Sequence, residues 1–133
     1  MDKIIKTLVP ENKRMDFLPK FCGKYFMQFE NMVYDDLRKM CKNYDGGLWE
    51  FYTLSNGGFY MALEQDEPLE LECYSNYYKG SMSAEAGSIA INLFALNGLA
   101  WHLQPEKFSE YFHLLRDFAL EHKEAKEIMK FID

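Results

Sequence analysis

Leu48-Trp49-Glu50-Phe51-Tyr52-Thr53-Leu54-Ser55-Asn56-Gly57-Gly58-Phe59-Tyr60-Met61-Ala62-Leu63 decides the fold. Two aromatic, β-favouring runs flank Asn-Gly, the dipeptide that suits a type I′ turn because both central residues take positive φ. With Asn56 and Gly57 at the centre, Leu54 is predicted to face Phe59, Thr53 to face Tyr60 and Tyr52 to face Met61. Trp49, Phe51 and Tyr60 then share one face of the hairpin. Tyr52, Leu54, Phe59 and Met61 share the other. A hairpin with one wet face alternates polar and apolar residues more cleanly than this. Either helices cover both faces, or one aromatic face is a docking surface.

Downstream, Glu64-Gln65-Asp66-Glu67-Pro68 reads as an acidic turn. In Leu69-Glu70-Leu71-Glu72-Cys73-Tyr74 the period of two sends Leu69, Leu71 and Cys73 inward and Glu70 and Glu72 outward. This run is expected to be the third strand of an antiparallel meander. Upstream, Phe26, Phe29, Val33, Leu37 and Met40 recur at helical spacing between about 23 and 42, before Asp45-Gly46-Gly47 ends the helix. Residues 1–20, with Pro10 and Pro19, read as an N-terminal arm whose Leu8, Val9, Phe17 and Leu18 pack on the body.

Ser83 is placed to cap a helix, with Glu85 in its first turn. Residues 86–105 contain no Asp, Glu, Lys or Arg, yet Ser88, Asn92 and Asn97 make the run too polar for a good membrane span. A central core helix is the better reading, with Gly87, Ala90 and Gly98 letting neighbours approach. Pro105 opens another helix with Phe108, Tyr111, Phe112, Leu115 and Phe118 inward, and a short helix through Ile128, Met129 and Ile132 closes the chain. The expected fold is α+β, a small three-stranded antiparallel sheet (meander) packed with three major helices and a short C-terminal helix. One domain over 1–133 fits the length.

Charge separates the partner classes. The chain carries 15 Lys+Arg against 21 Asp+Glu, net −6. Residues 1–42 hold nine basic and six acidic groups, whereas 43–72 hold seven acidic groups and no basic one. A nucleic-acid groove needs Lys and Arg to displace counterions, so direct nucleic-acid binding is not expected. A regulator of that kind would have to assemble a basic face from Lys13, Arg14, Lys20, Lys24, Lys39 and Lys42. Three widely spaced cysteines with no Cys-x-x-Cys indicate free thiols in a reducing cytoplasm, and Leu8-Val9 before Pro10 is too short for a signal-peptide core.

No motif of catalysis stands out. His102, His113 and His122 lack metal-ligand spacing, and each is expected to be structural: His102 partly buried, His122 at a helix C-terminus. Asn56-Gly57-Gly58 lacks the Lys-Ser/Thr of a phosphate loop. A hydrolase pairing Cys73 with a histidine needs those groups to meet in space. Glu70 and Glu72 fall on one strand face at about 7 Å, which suits a solvated face better than a catalytic pair. The residues therefore indicate a non-enzymatic domain without metal, cofactor, small-molecule substrate or membrane.

Gly46 to Ala62 as a block resembles the signature of the ArdB/KlcA-type antirestriction family. The likeness extends through Phe17-Leu18-Pro19, Met82-Ser83-Ala84-Glu85-Ala86-Gly87, Leu114-Leu115-Arg116-Asp117 and Ala119-Leu120-Glu121-His122. Leu63 departs from it, standing where Pro is expected. The resemblance implies a protein of plasmids and other mobile elements that relieves type I restriction of incoming plasmid or phage DNA, with no catalytic residues to carry over. Its implied partner is the type I restriction–modification enzyme or a factor controlling it. An acidic DNA mimic is the alternative, as is a small plasmid-borne regulatory domain. Duplex DNA presents about one charge per 1.7 Å of axis, so a modest local excess favours protein–protein contact over mimicry. The candidate contact surface is the hairpin with its acidic turn: Trp49, Tyr60, Glu64, Asp66, Glu67, Glu70 and Glu72. For Trp49, Phe51 and Tyr60 the competing reading is simple core packing.

Overall fold

The computed structural model describes residues 3–103 and 105–133. Strands β1 (Lys6–Leu8), β2 (Leu48–Leu54) and β3 (Phe59–Glu64) form a three-stranded antiparallel sheet, and β4 (Leu69–Cys73) and β5 (Tyr78–Met82) form a separate hairpin. The helices are α1 (Arg14–Cys22), α2 (Phe26–Met40), α3 (Ala84–Leu103), α4 (Glu106–Glu121) and α5 (Ala125–Ile132). The α+β class, the small antiparallel sheet and the last three helices follow the expectation.

The sheet's third strand is a correction. It comes from the N-terminal segment, with Lys6 opposite Leu54 and Leu8 opposite Tyr52. The stretch from Leu69 pairs instead with Tyr78–Met82, where only Tyr78 and Met82 are buried at period two and Gly80 interrupts the pattern. The N-terminal segment is likewise more than an arm. Phe17, Leu18, Phe21 and Cys22 make a helical stripe in α1, whose interior Pro19 leaves the Met15 carbonyl without its helical donor.

The hairpin loop is one residue longer than the expected two-residue turn, which shifts the register by one. Thr53 pairs Phe59, Tyr52 pairs Tyr60 and Phe51 pairs Met61. Leu54 and Gly58 are hydrogen bonded across a three-residue loop in which Gly57 alone takes a positive φ, 96°. Asn56 acts through its side chain instead, accepting from the Gly58 N–H at 3.0 Å and donating to the Leu114 carbonyl at 2.9 Å. A shift of one residue moves a strand's side chains to the opposite face. Trp49 and Phe51 therefore share their face with Phe59, Met61 and Leu63, while Tyr60 sits with Tyr52.

Helices cover both faces. On the first, Phe17 stacks on Phe51 at 5.0 Å, Phe29 meets Phe59 edge-on at 5.4 Å, and Tyr34 meets Trp49 at 5.4 Å. On the second, Tyr60 lies between Tyr52 at 5.1 Å and Phe118 of α4 at 5.7 Å. Such aromatic pairs add about 0.5–1.5 kcal/mol each beyond the area they bury.

Helix α3, uncharged from Ala86 onward, is the centre of the molecule, buried from Ala86 to Leu93 without a break. Its polar residues have a specific task. Strand β3 has an edge that no strand covers, and α3 seals it. Ser88 Oγ accepts the Leu63 N–H at 2.9 Å, and Asn92 accepts the Met61 N–H at 3.0 Å while donating to the Met61 carbonyl at 2.8 Å. The proline expected at position 63 would have no proton to give, so Leu63 supplies a bond that proline could not. At Gly87 an added Cβ would lie 2.7 Å from Leu69 Cδ1, which explains the small residue where α3 crosses β4. No described helix is long and apolar enough to cross a membrane.

Candidate functional site

Ser83 begins the site as the cap of α3, its Oγ accepting the Ala86 N–H at 3.1 Å. The same hydroxyl donates to Glu124, whose other oxygen accepts the Ser83 N–H at 2.9 Å, so the start of α3 is tied to the start of α5. In the first turn of α3, Glu85 collects three donors from three parts of the fold. They are Lys6 from β1, the Tyr60 hydroxyl from β3 at 3.0 Å, and His122 Nε2 from the end of α4 at 2.9 Å.

Electrostatics follow from that geometry. The His122 hydrogen bond foremost, with Lys6 and Tyr60, overcomes partial burial and brings the Glu85 carboxyl down to about 2. His122 Nδ1 accepts the Glu124 N–H at 3.0 Å, which places the ring proton on Nε2, facing Glu85. Burial, followed by nearby carboxylates, pushes the Tyr60 and Tyr52 phenols up, so both remain donors; Tyr52 gives its proton to Glu64 at 2.7 Å.

Beside this cluster lies a recess of about 340 Å³, lined among others by Lys6, Tyr52, Glu64, Asp66, Glu85 and Lys123. Glu64 and Asp66 line it and, with Glu67, stand exposed at the end of β3 and on the β3–β4 turn, which the Gln65 amide steadies through the Glu67 carbonyl at 3.0 Å. The recess offers a partner carboxylates of fixed position. Within the cluster, Glu85 and both His122 nitrogens are engaged. Cys22, Cys41 and Cys73 are buried, and burial pushes the Cys22 thiol up to about 12. His102 is exposed, not partly buried as expected. Among the described residues no three His, Cys, Asp or Glu side chains are grouped to hold a metal ion.

The structure thus divides the candidate contact residues into three groups. Glu64, Asp66 and Glu67 stand exposed together at the acidic turn, the first two lining the recess. Glu70 and Glu72 lie on β4 among lysines, with Lys42 at 3.5 Å from Glu72 and Lys79 opposite it in register. Trp49 and Tyr60 are core residues, 6% and 0% exposed, and as docking anchors they are corrected: helices on both faces leave them nothing to present. The basic face is not assembled either, since Arg14 is paired to Glu50 at 2.8 Å and Lys42 to Glu72. Sequence reasoning missed His122 and Glu124 as partners of the α3 start. Ser83 and Glu85 were visible as a capping pair, but nothing local announces contacts 37 and 41 residues away.

This arrangement defines a small α+β protein with a carboxylate-lined polar recess and a sealed core. The antirestriction protein family model matches residues 42–133. The chain is 41% identical to the antirestriction protein KlcA of Escherichia coli, over 98% of its own length and 95% of that protein. It is 36% identical to the uncharacterized protein YafX of Escherichia coli K12, over 96% and 86%. Among solved structures it superposes on one from work on KlcA and ArdB with a TM-score of 0.91 and 38% identity, covering all of this chain and 99% of that one. KlcA and ArdB are described there as having a novel fold and antirestriction activity against type I DNA restriction systems in vivo but not in vitro. The chain belongs to the antirestriction protein family.

Proposed function

We propose that this protein relieves type I restriction of incoming DNA in the cytoplasm by protein–protein contact, without catalysis and without imitating DNA. The whole-length superposition on the KlcA/ArdB structure carries the assignment to type I systems. The arrangement of charge supports the mechanism. Mimicry of one helical turn needs carboxylates repeating at phosphate spacing over about 34 Å, whereas here lysines interrupt the acidic residues of β4 and Glu64, Asp66 and Glu67 gather at one turn. Activity of the relatives in cells but not with purified components also favours contact with a factor controlling the enzyme. The absence of catalysis is supported by the engaged Glu85 and His122 and by the buried thiols.

The exposed acids Glu64, Asp66 and Glu67 of the acidic turn are the proposed contact. Converting all three to lysine is expected to reduce plating of unmodified phage on a restricting host by about tenfold or more, corresponding to about 1.4 kcal/mol of lost contact energy, with the far-ultraviolet spectrum and unfolding midpoint unchanged. Full relief by the triple variant removes the acidic turn from the mechanism.

A further inference from the structure

The two edges of the three-stranded sheet are treated differently. Ser88 and Asn92 close the β3 edge from within α3. Among the described residues the β1 edge has no such cover over its centre. The Ser55 N–H donates to the Ile5 carbonyl and the Val9 N–H to the Phe51 carbonyl, both at 2.9 Å, which fixes the alternation: residues 5, 7 and 9 turn their backbone groups towards β2. Lys6 and Leu8 therefore turn theirs outwards. Farther back on the same side the Ile4 N–H is already taken by Glu121 at 2.9 Å, which marks where the open edge begins. Short edge strands are often guarded by a lysine projecting over them, but the Lys6 ammonium is held by Glu85. Leu8 is 52% exposed.

A groove of about 390 Å³ runs between this strand and α1. Leu8, Val9, Phe17 and Phe21 supply its apolar lining, and Lys13 and Lys20 line it with a single carboxylate, Asp16. Neither lysine makes an ion pair among the described residues, unlike Lys6, Arg14 and Lys42. On a molecule of net charge −6 this is a local basic, apolar slot alongside unpaired strand hydrogen-bonding groups.

We propose that the β1 edge takes an extended, acidic segment of a partner protein as a fourth strand. The segment pairs with Lys6 and Leu8, places an apolar side chain in the groove against Phe17 and Phe21, and sets its carboxylates against Lys13 and Lys20. Strand addition gives affinity through the main chain and specificity through alternate side chains. The surface is lined by residues other than those of the acidic turn, and its test needs no restriction assay.

The probe is a fluorescent peptide, Glu-Glu-Val-Thr-Val-Thr-Val-Glu-Glu, titrated against the full chain by anisotropy and followed by amide hydrogen exchange. Two control peptides replace the glutamates with lysines or carry N-methyl groups on alternate residues. Binding of the acidic peptide with slowed exchange at Lys6 and Leu8, and about tenfold weaker binding of both controls, is the expected result. K13E/K20E is expected to weaken binding about tenfold. L8P is expected to do the same by removing one outward N–H, a substitution that solvent-facing edge positions tolerate. Should L8P unfold by circular dichroism, K13E/K20E decides. The proposal is overturned if no binding is seen up to about 1 mM, if the lysine peptide binds equally, if protection falls elsewhere, or if the chain self-associates through this edge and excludes the peptide.

Discussion

Replacing Asn92 with alanine strips two partners from β3 at once, the Met61 N–H and its carbonyl, in a place sealed from water. An unsatisfied buried group costs about 1–3 kcal/mol, so Asn92→Ala is expected to lower unfolding stability by about 2–5 kcal/mol in a urea titration; a change under about 0.5 kcal/mol would show that water replaces the side chain. Two carboxyls give the pH profile opposite slopes. Glu85 ionises at about 2 in the folded protein against an ordinary 4.5, so its contribution is complete above pH 4.5 and is lost as pH falls towards 2. Asp36 is pushed up to about 6 from 3.8, chiefly by burial, and its Oδ2 has no partner among the described residues. Its neutral form suits the fold, and stability is lost as pH rises from 3.8 through 6. Urea midpoints measured across pH should therefore show Glu85→Gln flattening the acid limb and Asp36→Asn flattening the limb between pH 4 and 6. Unchanged limbs would contradict the two assignments.

The hairpin shows what an element's sequence conveys and what it withholds. Asn56-Gly57 between two aromatic runs located the turn, but loop length was decided by contacts beyond it, above all the Asn56 amide reaching Leu114. With the asparagine side chain anchored there, only Gly57 is left at positive φ. Gly57→Ala is expected to cost about 1–2 kcal/mol of stability, and the cost is backbone strain, since the nearest atom to the new Cβ is Leu114 Cδ1 at 3.9 Å. Calorimetry giving no loss would mean that the loop relaxes to another register. Helices α2 and α4 were legible because their apolar periodicity is long, and α3 because a cap opens a long run without charge. Helix α1 was hidden by Pro10 and Pro19, and strand β5 by Gly80. β1 was illegible for a different reason: three exposed residues carry no pattern, and only the vacant side of β2 makes them a strand.

For the molecule as a whole, net charge and its segregation along the chain were plain in the sequence, and so was the acidic turn. Their arrangement in space was not. Folding brings Lys6 and Lys123 beside the turn and Lys42 and Lys79 among the acids of β4, so the seven acidic groups of residues 43–72 never become a free-standing row. Glu50 is spent on Arg14 as well. The fold presents a cornered patch of negative charge beside Lys6 and Lys123 and a basic slot beside β1.

Contact without DNA imitation is tested most directly by one competition assay. A labelled duplex oligonucleotide is bound to a purified type I restriction enzyme, and the protein is added at increasing concentration, with relief of phage restriction by the same gene measured in parallel. Relief in cells with no displacement of the duplex is the predicted result. Stoichiometric, salt-sensitive displacement of the duplex would contradict it.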